Sequence, residues 1–286
     1  MAENPVNSEF EGAAAGPHSE TDVLHPNSTT HSRFLPIAQM GSLWHGRDSL
    51  KNLVILGDSY SSGYQDSVDT WPNHVASLLA PFAVEVHNFS MPGATAKHHL
   101  RSQTAWFFAR LPRKGPEYES ELVFLDSEET TYVLFIGIND CGTTKAYDLE
   151  PIIDVVFDNL HRLDVGARAR NFIIVDVPPI DRSPGGSSFR AELKDRVETW
   201  NDLIHKQTAS HASPGRGAQT PRSIFLFSSH AVLTDVLDNP VKYGFTENDI
   251  AQEGGGIWAD ELHVTSGVQK VIAEQFVRMV ASNSSS

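Results

Sequence analysis

The chain has 286 residues, 40% of them hydrophobic, with 22 Lys and Arg against 36 Asp and Glu, for a net charge of −14. That apolar share excludes a wholly disordered chain and suits one or two folded domains; the acidity argues against nucleic acid or an anionic membrane as partner. The single cysteine, Cys141, excludes an internal disulfide and a Cys-based zinc or iron–sulfur site.

Residues 1–50 are rich in Ser, Asn, Pro, His and Gly and read as a flexible polar arm, with Leu35–Ile37 and Leu43–Trp44 as docking points. The start, Met1 to Pro5, has neither the basic nor the apolar region of a signal peptide. No stretch of about 18 apolar residues occurs that a membrane helix needs. A cytoplasmic protein is expected.

From residue 51 to 281 strand and helix patterns alternate. Leu53–Leu56 is a short apolar run stopped by Gly57, the pattern of a strand buried on both faces. A helix over 71–79, a strand over 84–89 and a helix over 96–111 follow. The stretch 112–130 is an insertion without a clear pattern. Then come a strand over 132–136, a helix over 149–167, a strand over 172–177 stopped by Pro178-Pro179, a helix over 189–207, a strand over 224–227 and a closing helix over 266–279. Residues 282–286 read as a polar tail. Such alternation predicts one catalytic-sized α/β domain with a parallel five-stranded sheet between helical layers. Sites in such sheets form at the carboxyl ends of the strands.

Three strand exits carry polar residues: Gly57-Asp58-Ser59-Tyr60, Ser90-Met91-Pro92-Gly93-Ala94-Thr95 and Gly137-Ile138-Asn139-Asp140. Asp260-Glu261-Leu262-His263 precedes the last helix. Together they suit nucleophilic acyl transfer. A serine hydroxyl needs a base, which His263 can supply, oriented by Asp260 three residues earlier. Backbone N–H groups of Ser59 and Gly93 and the Asn139 amide can hold an oxyanion. Asp-x-x-His alone is weak, since it occurs at Asp22/His25, Asp158/His161, Asp202/His205 and Asp260/His263. The second and third fall inside predicted helices; the fourth falls in a loop able to face the sheet's carboxyl edge.

In this order and at these strand ends, Ser59, Gly93, Asn139 and His263, with Asp260, resemble the four blocks of the SGNH, or GDSL, hydrolase superfamily. The resemblance spans residues 53 to about 280. It implies a flavodoxin-like three-layer α/β/α fold and ester hydrolysis with no metal or cofactor. A narrower similarity is to fungal carbohydrate esterase family 16 acetylesterases. It rests on Gly57–Tyr60, Trp71, Gly137–Asp140, Val177–Pro184 and Trp258–Ser266. It implies acetyl esters of carbohydrates as substrates. His263 is followed by Val264, where such families usually have Pro.

Tyr60 and Trp258 flank the motif residues and are candidate substrate contacts. Asp58 and Asp140 read as loop-shaping acceptors. His87, His98 and His99 lack a metal-site spacing. The acids Asp235, Asp238, Glu247, Asp249, Glu253, Asp260 and Glu261 are opposed locally by Lys242 alone; around a cleft they would favour neutral esters. The expected partner is a small ester. The competing readings are a lipid or short-acyl esterase, a thioesterase, and an idle glycan-binding module.

Overall fold

A computed structural model describes residues 33–63, 69–111, 125–212 and 222–283. In chain order these form β1 (Ile37–Gln39), β2 (Asn52–Gly57), α1 (Ser59–Ser62), α2 (Trp71–Leu79), β3 (Glu85–Asn88), α3 (Leu100–Arg110), β4 (Thr130–Phe135), α4 (Ile138–Thr143), α5 (Glu150–Ala167), β5 (Asn171–Val175), α6 (Arg190–Ala212), β6 (Ser223–Phe227), α7 (Ser229–Asp238) and α8 (Ser266–Ser282). Six strands make one sheet in the order β1-β6-β5-β4-β2-β3. The five strands expected from the sequence are all parallel, and β1 adds a sixth, antiparallel to β6.

Register shows why both faces are apolar. Phe227 pairs with Val175 and Val175 with Phe135, so these three point to one face. There Phe227 meets Phe276 of α8, with α2 and α7 packed on the same helix. Tyr132 pairs with Phe172 and, three residues from Phe135, points to the other face, where it meets Phe107 of α3. Helices α3, α5 and α6 pack together on that side. β4, β5 and β6 are buried along their whole length, which accounts for runs of apolar residues instead of alternation.

The expected polar arm over 1–50 needs correcting at its carboxyl end. Residues 33–50 belong to the unit His31–Ser286. Trp44 is fully buried, its ring 4.5 Å from that of Phe225, and its indole N–H donates to the Asn283 carbonyl. Residues 1–32 lie outside the described residues, as do most of the insertion (112–124) and 284–286 of the tail. Four elements were not anticipated: β1, the short helices α1 and α4 at two strand exits, and α7, which is capped by the Ser228 hydroxyl accepting from Ala231 N–H. Among the described residues no helix is long and apolar enough to cross a membrane.

Candidate active site

Strand β2 ends at Gly57, where a Cβ would meet the Phe135 carbonyl oxygen at 2.4 Å. Only glycine lets the chain turn there against β4. Asp58 then caps α1 by accepting from Tyr60 N–H at 3.0 Å, which makes Ser59 the first residue of that helix. Its own N–H has no intrahelical partner at that position. The expectation that Asp58 shapes the loop holds. Its carboxyl is fully buried, and that burial pushes its pKa up to about 7, against the Tyr60 bond, with Asp140 nearby adding to the rise.

Residue 263 arrives from the far end of the chain. The imidazole Nε2 lies 2.8 Å from Ser59 Oγ, and Nδ1 lies 2.7 Å from an Asp260 carboxylate oxygen. The other Asp260 oxygen accepts from the backbone N–H groups of Leu262 at 2.8 Å and His263 at 2.6 Å. Partial burial works against ionisation of Asp260, but these bonds and the imidazole outweigh it and hold the carboxyl below its usual range. One carboxylate therefore shapes the loop and aims the ring.

Gly93 sits at φ +73° with open space where a Cβ would point, a left-handed turn that favours glycine. Asn139 is mounted on a similar device: Gly137 has φ +124°, and a Cβ there would meet the Trp200 ring at 2.3 Å. One Asn139 amide N–H donates to the Ala94 carbonyl at 2.9 Å, leaving the second for another acceptor. Asp140 accepts from Ala96 N–H at 2.8 Å and Lys97 N–H at 3.2 Å. Burial pushes its carboxyl up, against those two bonds. It thus ties the loop after β3 to the loop after β4, as expected of a supporting residue.

Some expectations are corrected. Tyr60 and Trp258 are 1% and 0% exposed and cannot stack on a substrate. The Tyr60 hydroxyl donates to the Leu262 carbonyl and the Trp258 indole to the Ile250 carbonyl, so both brace the loop that carries His263. The acidic surround also dissolves in part. Asp235 is buried, with ion pairs to Arg33 and Lys242. Asp238 pairs with Arg182, and Asp249 accepts from Thr246 and Gly256. Cys141 is buried, and that burial pushes its thiol well up, away from nucleophilic use. Among the described residues no cluster of three His, Cys, Asp or Glu is placed to hold a metal ion.

Two supports were not read from the sequence. The Gln103 amide donates to the Gly57 carbonyl at 2.8 Å and accepts from the Gly57 N–H at 2.9 Å, pinning the strand end behind Ser59. Its signal was a polar residue on the buried stripe Leu100, Gln103, Thr104, Phe107. Gly185 N–H donates to the Glu261 carbonyl at 2.9 Å. The chain just after the Val177–Pro184 stretch thus buttresses the loop before His263.

The family model described as GDSL-like Lipase/Acylhydrolase matches residues 53–276. A curated acetylesterase of Thermothelomyces thermophilus is 24% identical over 273 residues, covering 79% of this chain and 87% of that one. The crystal structure of a lipase/acylhydrolase from Enterococcus faecalis superposes with TM-score 0.51 at 18% identity, over 82% of this chain and 97% of the other. A mutant of Axe2, an acetyl-xylooligosaccharide esterase from Geobacillus, gives TM-score 0.50 at 15% identity, over 80% and 93%. At these identities the solved structures speak for the fold.

Proposed function

The chain belongs to the GDSL-like lipase/acylhydrolase family and is an ester-bond hydrolase, and from that premise we propose that it is a serine acetylesterase in which Ser59, His263 and Asp260 act as a triad on acetylated carbohydrate. The observation that carries this reading is the chain of contacts Ser59 Oγ to His263 Nε2 to Asp260, at 2.8 and 2.7 Å. The acetyl preference draws on the name of the curated relative.

Ser59 Oγ attacks the ester carbonyl carbon as His263 Nε2 takes its proton. Asp260 holds the ring tautomer and stabilises the imidazolium. The Ser59 and Gly93 N–H groups and the second Asn139 amide N–H receive the oxyanion. His263 returns the proton to the leaving alcohol, which departs as the C–O bond breaks. Water then attacks the acyl-enzyme, loses its proton to His263, and acetic acid leaves as Ser59 Oγ is reprotonated.

The test is hydrolysis of 4-nitrophenyl acetate. Ser59→Ala is expected to lose roughly 10⁴-fold or more in kcat, and an organophosphate is expected to label Ser59. Full activity in Ser59→Ala refutes the mechanism.

A further inference from the structure

Beside Asn139 opens a cleft of about 580 Å³, within the range of about 300–1,000 Å³ that holds small organic ligands. Glu261 and Leu262, which lead straight into His263, form one side. The segment 180–193, in the connection between β5 and α6 and the first turn of α6, forms the far wall. In the proposed reaction His263 hands its proton to the oxygen of the leaving alcohol. The alcohol therefore lies on the imidazole's side, and this cleft is bordered by the loop that carries that imidazole.

The lining has a specific chemistry. Ile180, Leu193 and Leu262 supply apolar surface. Phe189 stands 68% exposed just before α6, a large ring with little packed over it. Glu192 and Glu261 line the same space and are exposed. Neither takes part in an ion pair with another described residue. The cation of the lining, Arg196, is turned to the backbone, where Nη1 donates to the carbonyls of Cys141 at 3.3 Å and Gly142 at 3.2 Å. A long alkyl group laid against these side chains would strip water from their carboxylates and give no hydrogen bond in return, and an anionic alcohol would be repelled by them. A neutral ring bearing hydroxyls fits both features. Its C–H face lies on the aromatic ring, and its hydroxyls donate to the carboxylates in charge-assisted bonds.

We infer that this cleft is the subsite for the alcohol half of the ester, a neutral sugar unit, with Phe189 as its stacking platform and Glu192 and Glu261 as its hydroxyl acceptors. The inference rests on the ester-hydrolase reading above. The experiment compares kcat/KM for acetylated xylobiose with that for ethyl acetate, whose alcohol is too short to fill the cleft, by pH-stat titration. The sugar-to-ethyl ratio is expected to fall at least tenfold in Phe189→Ala and at least fivefold in Glu192→Gln and in Glu261→Gln. It is expected to stay unchanged in Val165→Ala, an exposed site on α5 outside the cleft. A ratio unmoved by Phe189→Ala overturns the inference, as does a wild-type enzyme that cleaves ethyl acetate and not the sugar ester; both leave ester hydrolysis standing. Failure of the wild type on both esters refutes the reaction instead. In that case saturation-transfer NMR with unacetylated xylobiose on Ser59→Ala decides the cleft. Binding that disappears in Ser59→Ala/Phe189→Ala supports the sugar subsite; binding that persists, or none at all, overturns it.

Discussion

Asp260 does two jobs with two oxygens, and substitution separates them. Asp260→Asn keeps an acceptor for the Leu262 and His263 N–H groups but turns an amide N–H toward Nδ1. The ring must then carry its proton on Nε2 and cannot take one from Ser59. A loss of about 10⁴-fold in kcat is expected, with KM little changed, read on 4-nitrophenyl acetate. Replacing the other Asp-x-x-His histidines, His161→Ala or His205→Ala, is expected to leave kcat within about twofold, since surface changes away from the site rarely matter; a large loss in either would mean that the base is not His263. Asp58 makes a different prediction. Its folded pKa is about 7 against an unfolded value near 3.9, so between those limits the folded state binds more protons than the unfolded one. Stability drawn from this residue therefore falls as pH rises from about 4 to 7. Asp58→Asn removes the titration while keeping an oxygen for Tyr60 N–H. Its stability relative to wild type, from urea melts, is expected to rise across that window and level off above it. A difference independent of pH would show that Asp58 does not titrate there.

At the scale of elements, the site is a set of strand ends held by side chains from elsewhere. Gln103 of α3 grips both backbone groups of Gly57, and Asn88 at the end of β3 donates to the Ser61 carbonyl at 2.8 Å. Gln103→Leu leaves the Gly57 N–H without that acceptor in a buried setting, at a cost of about 1–3 kcal/mol. It also loosens the turn under Ser59, so kcat is expected to drop while KM holds; a variant with wild-type kcat would reduce Gln103 to a packing role. The buried strands were legible as short apolar runs stopped by Gly57, Gly137 or Pro178, and α2 by its helical period, spanning Trp71–Leu79 as the pattern predicts. So were the residues around Ser59, because a polar residue straight after a buried strand has few places to go. β1 was not legible, since Ile37–Gln39 is three half-buried residues, too short for any period. Tyr60 and Trp258 were misread because adjacency to a motif does not say which way a ring points. Tertiary contacts turned both inward, where the Leu262 and Ile250 carbonyls receive their polar tips. The cleft wall at Phe189 was invisible for the same reason, being made by elements far apart in sequence.

Across the whole molecule, the segment before β2 matters to the stability of everything after it. β1 covers the edge of β6 that would otherwise be open to pairing with another chain. Trp44 plugs the gap between that edge and the end of α8. Trp44→Ala is expected to cost about 3–5 kcal/mol in urea unfolding, with residual activity in the folded fraction unchanged; a loss under about 1 kcal/mol would mean the ring is peripheral. The long reach of such contacts has a temporal side. Ser59 and His263, which its hydroxyl contacts, are 204 residues apart, and Trp71 and Trp44 wait for partners 198 and 239 residues further on. At a synthesis rate of about 5–20 residues per second, a ribosome-bound chain carries the serine for roughly 10–40 s before the histidine exists. Under the proposed mechanism, translation itself thus leaves Ser59 without its base until nearly the last helix is made.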